Sequence, residues 1–161
     1  MDVRLAQVGD AEAIRAIYNA EVTGSTVTFD IEPRTLAEQR QWVQEHQGAH
    51  PAVVAVRGGA LTGFGSLSPF RDRAAYATSV EDSVYVDEAW RGQGVGRLLL
   101  EELVALAKKQ GFHTVLARIS GDNAPSIALH ERCGFVLVGV EREVGRKFGR
   151  WIDVTVLQLL I

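Results

Sequence analysis

The stretch Arg91-Gly92-Gln93-Gly94-Val95-Gly96 limits this chain more than any other. It follows a strand-like run, Asp82-Ser83-Val84-Tyr85-Val86, and opens an apolar-periodic helix over Val95 to Lys109. A helix start ordinarily carries Ser, Thr, Asp or Asn to satisfy its first free N–H groups. Here only glycines stand there. Uncovered N–H groups at the positive end of a helix, beside Arg91 and Arg97, suit a phosphate-bearing ligand. A tight turn without a ligand is the competing reading of the glycines alone.

Spacing narrows the ligand. A dinucleotide fingerprint needs Gly-x-Gly-x-x-Gly, and Gly92-x-Gly94-x-Gly96 is one residue short. A P-loop ends in Gly-Lys-Ser/Thr, whereas Gly96 is followed by Arg97-Leu98. The remaining pattern, Arg-x-x-Gly-x-Gly after a strand, resembles the coenzyme A pyrophosphate loop of the GNAT N-acetyltransferases.

The 161 residues suffice for one domain over 1–161 with a real core. A net charge of −3 argues against general nucleic-acid binding, so any basic site is local. No apolar run approaches the roughly 18 residues a membrane span requires, and Met1-Asp2-Val3-Arg4 does not open a signal peptide. The single cysteine, Cys133, excludes an internal disulfide and fits a reducing cytoplasm.

Local signals divide the chain. Val3–Ala6 reads as a strand, and Asp10 as the cap of a helix with Ala13, Ile14, Ile17 and Tyr18 on one face. A loop runs from Gly24 to Pro33. Thr35-Leu36-Ala37-Glu38 is a capping box that starts a helix reaching His46. Gly58-Gly59 joins two strands as a tight hairpin, Pro69 to Ala75 is a charged loop, and Tyr76 to Val86 reads as one long strand. After the central helix, Gly111 closes it behind Lys108 and Lys109. Val115–Ile119 is a buried strand, and Asp122 or Asn123 caps a helix with Pro125 in its first turn and Gly134 at its end. Phe135–Val144 and Trp151–Leu160 are two last strands. The resulting order is strand, two helices, three strands, helix, strand, helix, two strands. It predicts an α/β chain with a mixed sheet and matches the GNAT order element for element, a resemblance that implies the GNAT fold, a mostly antiparallel twisted sheet with flanking helices.

Acetyl transfer from a thioester to an amine needs a deprotonated amine, a stabilised carbonyl oxygen and a leaving thiolate. If the amine's pKa lies about two units above the working pH, deprotonation costs roughly 2.7 kcal/mol, within reach of one well-placed carboxylate. Val80-Glu81-Asp82-Ser83-Val84-Tyr85-Val86 resembles the Val-Glu-x-Ser/Thr-Val-Tyr-Val strand of the phosphinothricin acetyltransferase subfamily, whose members acetylate phosphinothricin, methionine sulfoximine or methionine sulfone. Ser25–Phe29, Arg73-Ala74-Ala75-Tyr76, Leu129-His130-Glu131 and Lys147–Asp153 agree with it, so the similarity covers about residues 2–159.

The resemblance implies Glu81 as general base, directly or through water, with a structural carboxylate as the alternative. Asp82 is a rival base that alternation turns to the opposite face. Acetyl-CoA is implied as co-substrate, held by the backbone of Val84, Tyr85 and Val86, by Arg91, Gly92, Gln93, Gly94, Val95, Gly96 and Arg97, and by Asn123 and Ser126. Asn123 and His130 are seven residues apart, two turns along one helix face. His130 stands where many GNAT enzymes place the acid for the departing thiolate, and is otherwise a packed histidine. Arg71, Arg73 and Tyr76, with Phe29 as an apolar wall, suit a small amino acid carrying a carboxylate and a tetrahedral head. Ala77-Thr78 replace the Asp-Trp of phosphinothricin-specific members. The family's usual homodimer is implied too, with Lys147–Asp153 near the partner's site.

Ser126 and His130 lack the Gly-x-Ser-x-Gly surroundings of a nucleophile, and His46 and His50 lack a third metal ligand. The tryptophans form no stacking platform for nucleic acid. Two other readings keep the fold: a protein N-terminus or polyamine as acceptor, or a non-catalytic acyl-CoA sensor.

Overall fold

The computed structural model describes residues 1–161. Its elements in chain order are β1 (Asp2–Leu5), α1 (Ala11–Gly24), α2 (Leu36–Glu45), β2 (Ala52–Arg57), β3 (Ala60–Pro69), β4 (Ser79–Val86), α3 (Val95–Lys109), β5 (Thr114–Ser120), α4 (Ala124–Arg132), β6 (Val136–Lys147) and β7 (Arg150–Leu160). This is the order expected from the sequence, with three short 3₁₀ turns added.

Seven strands form one sheet in the order β1-β2-β3-β4-β5-β7-β6. Every neighbouring pair is antiparallel except β4–β5, which α3 joins as a crossover. One core lies under α3, where Leu99, Leu100 and Leu103 meet Val53, Leu67, Val115 and Leu157. A second lies under α1 and α2, where Ile14, Tyr18 and Val43 meet Val54 and Phe64. The helix over β3 comes very close. A Cβ on Gly65 would stand 2.9 Å from both Leu103 Cδ1 and the Ser83 carbonyl oxygen.

The local signals explain most boundaries. Thr35 Oγ1 accepts from the Glu38 N–H at 3.1 Å, and the Glu38 carboxylate accepts from the Thr35 N–H at 2.8 Å, closing the expected box. Gly58 and Gly59, at φ 57° and 81°, turn the β2–β3 hairpin in the left-handed region such a turn needs.

Three expectations are corrected. Asp10 does not cap α1 with its side chain, because its carboxylate is taken by Arg4 at 2.8 Å and by the Gln7 N–H at 2.8 Å. The strand before the glycine loop starts at Ser79, since Ala74–Tyr76 form a 3₁₀ turn and leave Tyr76 to Thr78 outside the ladder. The last hairpin is longer than its glycines suggested. Gly145 pairs with Ile152 and Lys147 with Arg150, and only Phe148-Gly149 makes the turn.

Candidate active site

The parallel ladder between β4 and β5 stops at Glu81–Leu116, although β4 continues to Val86 and β5 to Ser120. Past that point the strands diverge and a cavity of about 270 Å³ lies between them. Asp82–Val86 line one side, Ala117–Ser120 the other, and Asn123, Ser126 and His130 of the α4 region lie along it. β3 pairs with β4 as far as Val86, so the free backbone edge of β4 faces the cavity. Backbone polar groups inside a protein demand partners, and this edge presents a row of them to whatever enters.

The cavity reaches Arg91, which lies just ahead of α3 in the chain. Gly94 takes the N-cap position at φ 83°, no side chain caps the helix, and a Cβ there would meet nothing within 4 Å. The N–H groups of the first turn are therefore open to an anion. Arg91 donates to the Val86 carbonyl oxygen at 3.3 Å and to Glu21 on α1. Arg97 points along the helix to Glu101 at 2.7 Å. Gln93 donates to the Ala89 carbonyl oxygen at 3.3 Å. Gly96 faces α4, where a Cβ would come within 3.1 Å of Leu129. The Asn123 side-chain oxygen caps α4 by accepting from the Ser126 N–H at 3.3 Å.

Asp82 and His130 meet in the cavity wall. His130 is 3% exposed and Asp82 5%, and His130 Nε2 lies 2.8 Å from Asp82 Oδ2. His130 Nδ1–H donates to the Ser126 carbonyl oxygen at 2.7 Å. Burial pushes the His130 ring down, but the Asp82 hydrogen bond and charge, with the Ser126 bond, leave its pKa raised. Asp82 Oδ1 is buried without a hydrogen-bond partner. In the sequence Asp82 reads only as a rival base, because nothing local ties it to a residue 48 positions later.

Glu81 occupies the end of the ladder, half-buried, on the face opposite Asp82. Burial pushes its carboxyl up, and the Arg118 guanidinium opposes the shift. The other acceptor-side candidates lie apart from this cavity. Arg71 and Arg73 are exposed, and Arg71 Nη1 donates to the Tyr76 hydroxyl at 3.4 Å. Phe29 packs its ring against Gly145 of the last hairpin. Its loop is tied down by Ser120 Oγ donating to Val27 O at 3.2 Å and Lys147 Nζ donating to Thr28 O at 2.9 Å. Arg118, Ser120, Ser83 and Glu21 also line the cavity without having been singled out from the sequence. Arg118 had a signal: it is a charge within the apolar run Val115–Ile119.

The profile of the "Acetyltransferase (GNAT) family" matches residues 13–135. The chain is 39% identical over 159 residues to the L-methionine sulfoximine/L-methionine sulfone acetyltransferase of Pseudomonas aeruginosa, covering 98% of this chain and 92% of that protein. Its fold is similar to that of the ribosomal-protein-alanine N-acetyltransferase of Brucella melitensis, with a TM-score of 0.97 and 37% identity over the whole of both chains. A Sinorhizobium meliloti phosphinothricin acetyltransferase solved in complex with acetyl-CoA has a TM-score of 0.96 and 37% identity, covering 99% of this chain and 88% of that one. With the diverging strands and the uncapped helix start in place as well, the chain belongs to the GNAT family of acetyltransferases.

Proposed function

We propose that this protein is an acetyl-CoA-dependent N-acetyltransferase acting on the α-amino group of a small amino-acid analogue: methionine sulfone, methionine sulfoximine or phosphinothricin. One observation carries the reading: the unpaired edge of β4 runs from beside Glu81 to the uncapped start of α3. It matches a long ligand with an amide-bearing arm at one end and phosphates at the other. Acetyl-CoA supplies the acyl group as a thioester, passed directly to the amine in a ternary complex. Those N–H groups among Val84–Val86 that alternation turns away from β3 hold the pantetheine arm and face the charge that develops on the acyl oxygen. Glu81, its carboxyl pushed up by burial, takes the amine proton. His130, in the cavity wall with its ring nitrogens bonded to Asp82 and the Ser126 carbonyl oxygen, is the candidate acid for the departing thiolate, giving up a ring proton that solvent replaces. Arg71, Arg73, Tyr76 and Phe29 lie outside the cavity in the free chain, and in this reading they close over the far end of the acceptor only once it is bound.

A homodimer completes the reading. β6 is an edge strand with Val136, Leu137, Val138, Val140 and Val144 all more than half exposed, as is Trp151 on β7. Light scattering behind size exclusion that shows a monomer would overturn this part.

The test is a thiol-release assay with acetyl-CoA against phosphinothricin, methionine sulfone, methionine sulfoximine, a polyamine and a short peptide. Turnover confined to the three amino-acid analogues is expected. The ribosomal-protein-alanine N-acetyltransferase among the structural relatives favours a peptide N-terminus as a second reading. Turnover of the peptide alone would establish that one instead.

A further inference from the structure

Arg118 breaks the apolar pattern of β5, Thr114-Val115-Leu116-Ala117-Arg118-Ile119-Ser120, and lines the cavity beside β4. Glu81 stands beside Leu116 in the parallel ladder, so Leu116, Arg118 and Ser120 share the sheet face of Glu81, Ser83 and Tyr85. Arg118 thus follows Glu81 on the acceptor side. Its partner inside the chain is Glu141 on β6, one carboxylate oxygen of which accepts from both Nε, at 3.1 Å, and Nη2. The two side chains are 37% and 40% exposed. A guanidinium carries five N–H donors, and Arg118 makes no other hydrogen bond within the chain.

Cations in this cavity are few. The other lining arginine, Arg91, lies past Val86 and is held by the Val86 carbonyl and Glu21. At about 3.3 Å per residue, the Val86 end of β4 is roughly 16 Å from Glu81. An amine presented to Glu81 brings the acceptor's own oxyanions close behind it, next to a carboxylate. Such a group needs a cation on the same face, and Arg118 is the cavity-lining one at that end.

We propose that Arg118 is a specificity-determining residue that binds an oxyanion of the acceptor, Glu141 occupying that position in the free enzyme. This role presupposes the amino-acid acceptor of the preceding subsection. A carboxylate, a phosphinate and a sulfonyl group each offer a pair of oxygens to the guanidinium fork. Glu141 shows the arrangement from within the chain. Half-exposed ion pairs are weak, so the acceptor can displace Glu141, which raises the acceptor KM only a few-fold.

Steady-state kinetics of the wild type, Arg118→Met and Glu141→Gln test this with three acceptors. These are methionine sulfone, 3-(methylsulfonyl)propylamine (head kept, carboxylate removed) and norleucine (carboxylate kept, head removed). Arg118→Met is expected to raise the KM for methionine sulfone about tenfold or more, the scale of one lost charged hydrogen bond, with the KM for acetyl-CoA unchanged. Glu141→Gln is expected to lower the acceptor KM by removing the competing carboxylate. If the Arg118→Met effect vanishes on the propylamine, the bound oxyanion is the carboxylate; if it vanishes on norleucine, it is the head. A merely structural ion pair would lower Tm in both variants and leave acceptor KM alone, and that result overturns the proposal. Should Arg118→Met fail to fold, an unchanged acceptor KM in Glu141→Gln overturns it equally. Wild-type enzyme that turns over none of these but acetylates the peptide would instead refute the amino-acid reading, and the role of Arg118 with it.

Discussion

Replacing Asp82 with Asn keeps the shape beneath His130 and removes the charge. The consequences follow from two distances. His130 Nδ1 lies 2.7 Å from a carbonyl oxygen, which can only accept, so that nitrogen carries a proton. Nε2 lies 2.8 Å from Asp82 Oδ2, and a ring whose pKa is raised above its ordinary value of about 6.5 carries its second proton there near pH 6. At that pH His130 is an imidazolium bonded to Asp82, both buried, with side chains 4% and 0% exposed. Burial pushes His130 down and Asp82 more than offsets this, leaving its folded-state pKa raised. A base whose pKa rises on folding stabilises the fold fully below its unfolded value, about 6.5, and that contribution is lost as pH climbs through the folded value. In Asp82→Asn the amide can donate to a neutral Nε2, so the ring stays bonded but uncharged. Near pH 6 the variant should lose about 1–3 kcal/mol, the cost of a charged buried hydrogen bond. For a domain of this size that lowers Tm by roughly 2–12 °C. Asp82→Ala, which leaves the ring unpaired, should lose about 3–5 kcal/mol. Thermal unfolding followed by circular dichroism from about pH 6 to pH 9 reads both. The gap between wild type and Asp82→Asn should narrow as pH rises. A gap that is absent near pH 6, or that stays constant across the range, would refute the assignment of charge to this pair.

Glu81→Gln should lower kcat by about 10²–10⁴ with Tm unchanged. Because burial pushes the Glu81 carboxyl up, the wild-type kcat/KM should fall with decreasing pH through a limb above the ordinary carboxylate value of about 4.3, and the variant should lose that limb. Gly94→Asp has room for its side chain and places a carboxylate on the open N–H groups of α3. At φ 83° any side chain is strained, so Tm should fall by roughly 2–8 °C in Gly94→Asp and in the control Gly94→Ala alike. Only the Asp variant's KM for acetyl-CoA should rise about tenfold or more, and calorimetric titration of coenzyme A checks the binding directly. Gly65→Ala forces a methyl to within 2.9 Å of the Ser83 carbonyl oxygen. Overpacking of that kind costs about 1–3 kcal/mol, read as a denaturant midpoint shift at constant m-value.

Whatever depended on residues a few positions apart was legible in the sequence. Thr35 and Glu38 close a box over three residues, Gly58-Gly59 turn a hairpin, and the period of α3 sets both its ends at Val95 and Lys109. The order of elements and the α/β class followed, and the glycines before α3 marked the anion-ready helix start. Where ladder pairing competed with local signals, the local signals lost. Gly145 reads as loop but is held in a strand opposite Ile152, and Tyr76 to Thr78 read as strand but lie in and beyond a 3₁₀ turn. The site's working geometry was decided in three dimensions. The opening of the sheet past Glu81 depends on β5, beyond a 15-residue helix. His130 meets Asp82 across 48 residues, and Arg118 meets Glu141 across 23. Periodicity and spacing report which face of its own element a residue occupies. Which residue of another element lies opposite, and whether two strands stay paired, is settled only when α3 and α4 pack onto the sheet.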